Sequence, residues 1–304
     1  MNGAKVLNRL LQLFVLFNLI LCVINISKHV NAYVLSAKRI ENIQAICESK
    51  GIILKTQLPR AYTPKKAGTI LVKEMSAEES NHLAKGILNS ALGEMTISTE
   101  AHTQESSSLK GKKNRVYSKG NETLRFKGED IIYTSHNKQK QYEKITVGQA
   151  QILCDGFIKR LSFSKTFNQG EREVKEKEGG IELTYYARFE HLPLFNSYLR
   201  FWVTDRGIEE AIIHVAQVDA NKEVQTKKNI YPIDLVLFGI EEEIPIAFNK
   251  DNPIYITDIS LGYYTLTTEG MRILAEEIIP TYKITIEGLK EPLFVNAYTN
   301  KSIK

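Results

Sequence analysis

From Leu10 to Ile26 the chain carries no charged side chain, within the stretch RLLQLFVLFNLILCVINISKHV, Arg9 to Val30. Roughly 17 such residues mark the lower limit for crossing a hydrocarbon core, and Val6, Leu7 and a snorkelling Arg9 lengthen the span. A secretory signal has a shorter apolar region, about 7 to 15 residues, and then a small-residue cleavage site, for which Val30, Asn31 and Ala32 qualify. The apolar length favours a retained anchor, with cleavage after Ala32 as the alternative. Flanking charge is nearly balanced, Lys5 and Arg9 before the helix against Lys28, Lys38 and Arg39 after it. A short cytoplasmic tail and a long translocated domain is the simpler topology.

Gln12, Asn18 and Asn25 interrupt the run. Asn18 and Asn25 stand seven positions apart, and at about 100° per residue they fall within about 20° of each other on one helix face. Carboxamides in lipid need hydrogen-bond partners, so both are candidate contacts to neighbouring membrane helices. The competing arrangement leaves Asn25 in the interface and buries Asn18 alone.

The chain beyond the helix is long enough for two or three packed units. Its 43% hydrophobic and 25% charged residues are those of a globular protein. A net charge of +5, with basic residues spread among acidic ones, speaks against a nucleic-acid binder. The dense basic run is KGKKNRVYSK, Lys110 to Lys119, expected to be a solvated loop rather than a site for anionic lipid or wall polymer. Cys22 lies in the apolar helix, and Cys47 and Cys154 lack any CxxC spacing, so both are expected as buried free thiols, with a bridge between them in an oxidising exterior as the alternative.

Local signals divide the rest. Ser36 caps a helix bearing Ile40, Ile43, Ile46 and Cys47, which Gly51 stops before a strand through IILKTQL. Ser76 and Glu79 form a capping box for a helix through Leu88. Thr96 to Lys119, poor in large apolar residues, is expected to be an exposed loop or linker, with 99–119 its flexible part. Thr146 and Gln149 form a second capping box, after which Ala150, Leu153, Cys154, Phe157, Ile158 and Leu161 share a face that must cover a sheet. Candidate strands follow in IELTYYARFE, SYLRFWVT and IEEAIIHVAQV, separated by HLPLF and by the turn Asp205 to Gly207. Leu199, Phe201 and Val203 alternate with Arg200, Trp202 and Thr204, as in a sheet with one buried face. YPIDLVLFGIEEEIP starts a further helix with Pro232 at its first turn, and IYITDISLGYYTL, PTYKITIEG and PLFVNAYT are expected strands, the last two a hairpin around Gly288 to Pro292. GMRILAEEIIP fits a helix or a long strand equally.

The fold class predicted is α+β, with a transmembrane helix in 1–32, an α+β region in 33–143 and a second in 144–304. No motif with a catalytic mechanism is present, and no cofactor or metal is expected. The six histidines are scattered, and His214 within AIIHVA reads as a hydrogen-bonded sheet residue. Glu241 to Glu243 read as the solvated end of a helix. Trp202 is a candidate exposed interface residue, with filling a gap on the outer sheet face as the alternative.

Immediately behind the apolar helix, YVLSAKRIENIQAICESKGIILKTQLPRAY (Tyr33 to Tyr62) resembles the start of YycI-type proteins of Gram-positive bacteria. DISLGYY (Asp258 to Tyr264) and PTYKITIEGLKEPLFVNAYTNK (Pro280 to Lys301) resemble later marks of that family, with Asn300 where a glycine is usual. Asparagine tolerates the left-handed backbone better than other non-glycine residues, so the turn should survive. The resemblance implies a single-pass protein of the cell membrane whose extracytoplasmic part is built from PepSY-like helix-on-antiparallel-sheet units. It also implies partnership with a YycH-like protein and with WalK (YycG), the sensor histidine kinase of a two-component system controlling cell-wall metabolism. The alternatives are a secreted or surface-bound wall or peptide-binding module and a protease-modulating PepSY-type protein.

Overall fold

The computed structural model describes residues 3–71, 76–100, 114–127, 130–161, 167, 172–214, 226–267 and 275–303. In chain order the elements are helix α1 (Gly3–Asn31), helix α2 (Ala37–Ser49), strands β1 (Ile52–Leu54) and β2 (Gly68–Leu71), and helix α3 (Ala77–Leu88). Strands β3 (Thr96–Glu100), β4 (Asn114–Lys119), β5 (Glu122–Lys127) and β6 (Asp130–Ser135) follow, then helix α4 (Val147–Ile158). Next come β7 (Arg172–Lys177), β8 (Gly180–Phe189), β9 (Leu192–Thr204) and β10 (Gly207–His214). Helix α5 (Ile233–Phe238), β11 (Ile254–Thr267), β12 (Ala275–Ile286), β13 (Leu293–Asn296) and β14 (Lys301–Ile303) complete the chain.

The local chemistry of the helix starts is as the sequence implies. The side chains of Ser36, Ser76 and Thr146 accept the N–H groups of Arg39, Glu79 and Gln149, and the last two sites are closed capping boxes. Each satisfies backbone donors that a helix start otherwise leaves open.

Two units form, neither contiguous in sequence: Met1–Lys65 with Lys227–Ser260 and Tyr282–Lys304, and Lys66–Thr226 with Leu261–Thr281. The boundary expected at 143/144 falls inside the second, because β6 on one side of it pairs with β10 on the other.

In the second unit eight strands run in the order β7-β8-β9-β10-β6-β5-β4-β3, every pair antiparallel. Helices α3 and α4 supply Leu83, Ile87, Leu88, Cys154, Phe157 and Ile158 to a core completed by Leu183, Leu199, Phe201, Val203, Ala211 and Ile213 from the strands. The alternation through β9 faces as expected at Leu199, Phe201 and Val203, all buried, against Arg200, exposed, and Trp202, half-buried, whereas Thr204 is buried. Two expectations are corrected. Thr96 to Lys119 is not simply a loop: Thr96–Glu100 and Asn114–Lys119 are paired strands, while 101–113 lie outside the described residues. Their polar side chains hid them, since β3 is an edge strand and needs no continuous apolar face. HLPLF is not a separator either, for β9 begins at Leu192 and the turn is made by Glu190 and His191 at φ 47° and 68°. Two left-handed residues in succession match the twist of a tight hairpin.

In the first unit β1 pairs parallel with β11, and β13 pairs antiparallel with β14. Helices α2 and α5 bury Ile43, Cys47, Ile233, Val236 and Leu237, and Ile254, Ile256, Tyr282, Ile284 and Ile286 are buried on the strands. The strand after α2 is shorter than IILKTQL, ending at Leu54. Asn300 takes the left-handed conformation, φ 57°, and its N–H bonds to the Asn296 carbonyl at 2.8 Å, so the turn survives without glycine. The stretch left open between helix and strand is strand from Ala275, with 268–274 outside the described residues.

Candidate functional site

Within α1, Val6 to Asn25 is long and apolar enough to cross a membrane, and none of it is buried by the protein. Phe14, 68% exposed, and Leu13, 62% exposed, show how bare the helix is. Such a surface in water carries a large hydrophobic cost. Asn18 partly satisfies itself, its Nδ2 donating to the Phe14 carbonyl at 2.9 Å. Asn25 is exposed on the same helix.

The end of α1 is fastened to the folded chain. Tyr62 donates its hydroxyl to the Ala32 carbonyl at 2.9 Å, and its ring meets Tyr33 edge-on at 5.9 Å. Val34 and Ala61 form an antiparallel bridge, flanked by bonds from Tyr62 N–H to the Tyr33 carbonyl and from Leu35 N–H to the Arg60 carbonyl. One turn into α2, Arg39 directs Nε and Nη2 at the same oxygen of Asp234 on α5, at 2.9 and 2.6 Å. The Asp234 hydrogen bond, and more weakly the Tyr62 hydroxyl, raise the guanidinium pKa above its ordinary value. Tyr62 on Ala32 holds the end of the apolar helix, and Arg39 on Asp234 ties the first turn of α2 to α5. Asp234 Oδ1 is buried without a hydrogen bond among the described residues. No sequence signal joins Arg39 to Asp234, 195 positions away; the capped start of α2 marks only one end.

Trp202 is half-buried on the outer face of β9, opposite Glu182 and Glu210. A Cβ at Gly180 would lie 2.8 Å from the indole, so the ring is packed over that glycine. On the same face His214 binds Asp130 through Nδ1 at 2.7 Å and stacks on Tyr198, the hydrogen-bonded sheet residue expected. Glu241 to Glu243 form a short 3-10 turn after α5, where Glu241 pairs with Lys50. Cys47 and Cys154 are free and buried, and burial pushes the Cys47 thiol up to about 11 and Cys154 higher still. Among the described residues no group of three or more His, Cys, Asp or Glu side chains is placed to hold a metal ion.

No family model matches the sequence, and no curated protein matches it. Among solved structures, the chain is similar to an uncharacterized protein from Eubacterium rectale, with a TM-score of 0.53 and 11% identity over 87% of this chain and 98% of the other. The two share a fold. A second similarity is to the YpeB C-terminal domain of Bacillus megaterium, with a TM-score of 0.36 and 12% identity over 76% of this chain and 97% of that domain.

Proposed function

We propose that the protein is a membrane-anchored, non-enzymatic regulator of a sensor histidine kinase controlling cell-wall metabolism, acting by contacts with a WalK-type kinase and a YycH-like partner. Its amino terminus lies in the cytoplasm and its PepSY-like α+β units outside. The observation that carries this reading is the joint between an uncovered apolar helix and a folded unit, made by Tyr62 on Ala32 and Arg39 on Asp234. A fastened joint lets small differences in helix contacts bias a partner between two states, which is all that regulation requires. The resemblance of Tyr33 to Tyr62 to YycI-type proteins supplies the partner class.

The secreted alternative requires cleavage after Ala32, which would remove the carbonyl that Tyr62 holds. Two measurements test the proposal. Amino-terminal sequencing of the mature protein that begins at Tyr33 would overturn the anchor. Affinity purification of the intact protein from membranes should return a sensor kinase by mass spectrometry; consistent recovery of wall enzymes or a protease in its place would overturn the regulatory role.

A further inference from the structure

The first unit leaves an apolar stripe uncovered close to the foot of α1. Leu235 and Phe238, three residues apart on one face of α5, are 46% and 58% exposed, and Tyr231, just before the helix, is 42% exposed. The rest of α5 is core, with Ile233, Val236 and Leu237 buried. The Leu235 backbone is held from beneath, its carbonyl accepting from Asn300 Nδ2 at 3.4 Å, and Tyr231 N–H bonds to the Ala297 carbonyl at 2.8 Å. Lys50 Nζ lies over the Phe238 ring at 5.1 Å, which leaves Tyr231 and Leu235 as the exposed apolar side chains that ask for a cover.

Chain reach identifies it. Helix α1 continues from Asn25 to Asn31, a rise of about 9 Å at about 1.5 Å per residue, enough to cross a headgroup layer. Only residues 32–36 then separate it from α2, a tether of at most about 20 Å. Tyr62 on Ala32 shortens that tether, and the Arg39 fork fixes Asp234, one residue from Leu235, to the first turn of α2. The surroundings suit an anionic surface. Lys28, Lys38 and Arg60 are exposed, and Tyr33 and Tyr62 stand at the junction where aromatic side chains favour the interface. The acidic turn Glu241 to Glu243 limits the seat at the other end of α5, beyond Phe238.

We propose that the first unit rests on the membrane surface, with Tyr231 and Leu235 of the α5 stripe set into the headgroup boundary and Lys28, Lys38 and Arg60 facing anionic lipid headgroups. The occupant of the stripe is the bilayer that α1 crosses. This rests on α1 being a retained membrane span, and adds that the unit is seated on that membrane rather than tethered above it. An apolar surface together with exposed cations on the same unit binds an interface through buried area plus attraction to anionic lipid.

Trp202 is the single tryptophan. In the full chain carrying Trp202→Phe, Leu235→Trp places one indole on the stripe, and Ile152→Trp places one at the 73% exposed apolar position of α4 as a comparison. Each protein is reconstituted in vesicles of phosphatidylglycerol or phosphatidylcholine bearing a doxyl quencher near the head of the acyl chain, and flotation and fluorescence are read together. The expected result is flotation of both, at least about twofold stronger quenching of Leu235→Trp than of Ile152→Trp, and stronger quenching in phosphatidylglycerol that weakens with salt. A protein that floats with the two indoles equally quenched overturns the seat and leaves the stripe for a protein partner. Quenching that is the same in both lipids overturns the role given to the cations. A protein that does not float overturns the membrane span itself.

Discussion

Phe201 is fully buried, meeting Phe157 edge-on at 5.3 Å and Tyr185 at 5.8 Å. Removing its ring leaves a void that neither α4 nor β8 can fill without moving. Phe201→Ala should therefore cost about 3 to 5 kcal/mol in denaturant unfolding; a loss below about 1 kcal/mol would mean that this face of the sheet carries little of the core. Cys47 gives a pH-dependent counterpart. Its thiol pKa rises from 9.0 to about 11, first because burial penalises the thiolate. In that window the unfolded chain ionises at Cys47 while the folded chain holds the proton, so folding is proton-neutral below the unfolded pKa and takes up a proton above it. The stabilisation of the neutral thiol is fully present below about pH 9 and lost as pH rises toward about 11. The denaturation midpoint should fall through that range, and Cys47→Ala should flatten the fall relative to the parent protein.

Among the elements, those whose cause is local were legible and those whose cause is distant were not. The capping boxes at Ser76 and Thr146 are complete within four residues, so sequence places them. Strand β3 has no such signature: TISTE becomes a strand because Thr96 to Glu100 pair with Ser118 to Asn114. The joint of Arg39 with Asp234 was equally hidden, because an ion pair across 195 positions leaves no local pattern. Helix α1 lies between these cases, its span legible and its neighbours not. The proposed role of Asn18 and Asn25 in pairing with other membrane helices is open to a direct measurement. Replacing both with Leu preserves size and raises apolarity, so insertion should be unimpaired. Association with the proposed partner helices should weaken by about 0.6 to 2 kcal/mol for each hydrogen bond lost, toward the lower end at Asn18, which already donates to Phe14. Co-purification at matched expression reads the change, and undiminished recovery would assign recognition to the folded units alone.

For the whole molecule the consequence of interleaving is that sequence neighbours are not structural neighbours. Strand β6 takes its second partner from β10, with Ile131 opposite Ile213 and Tyr133 opposite Ala211. Leu124, Ile131 and Tyr133 lie in one core with Phe157, Leu199 and Phe201. A fragment of residues 33–143 keeps β3 to β6 but loses α4 and β10, exposing one edge of β6 and the apolar face that α4 covers. It also keeps α2 and β1 without β11, the strand β1 pairs with. Such long-range pairing cannot form until both halves of the chain are present, and loop closure must precede the contacts that offset it. The fragment should show no cooperative thermal transition and should bind a hydrophobic dye, and 144–304 alone should behave alike. When the two fragments are mixed, recovery of a cooperative transition is expected from their shared sheet. Independent cooperative unfolding of either one would show that the contacts across residue 143 are dispensable and that the chain folds as two sequential domains.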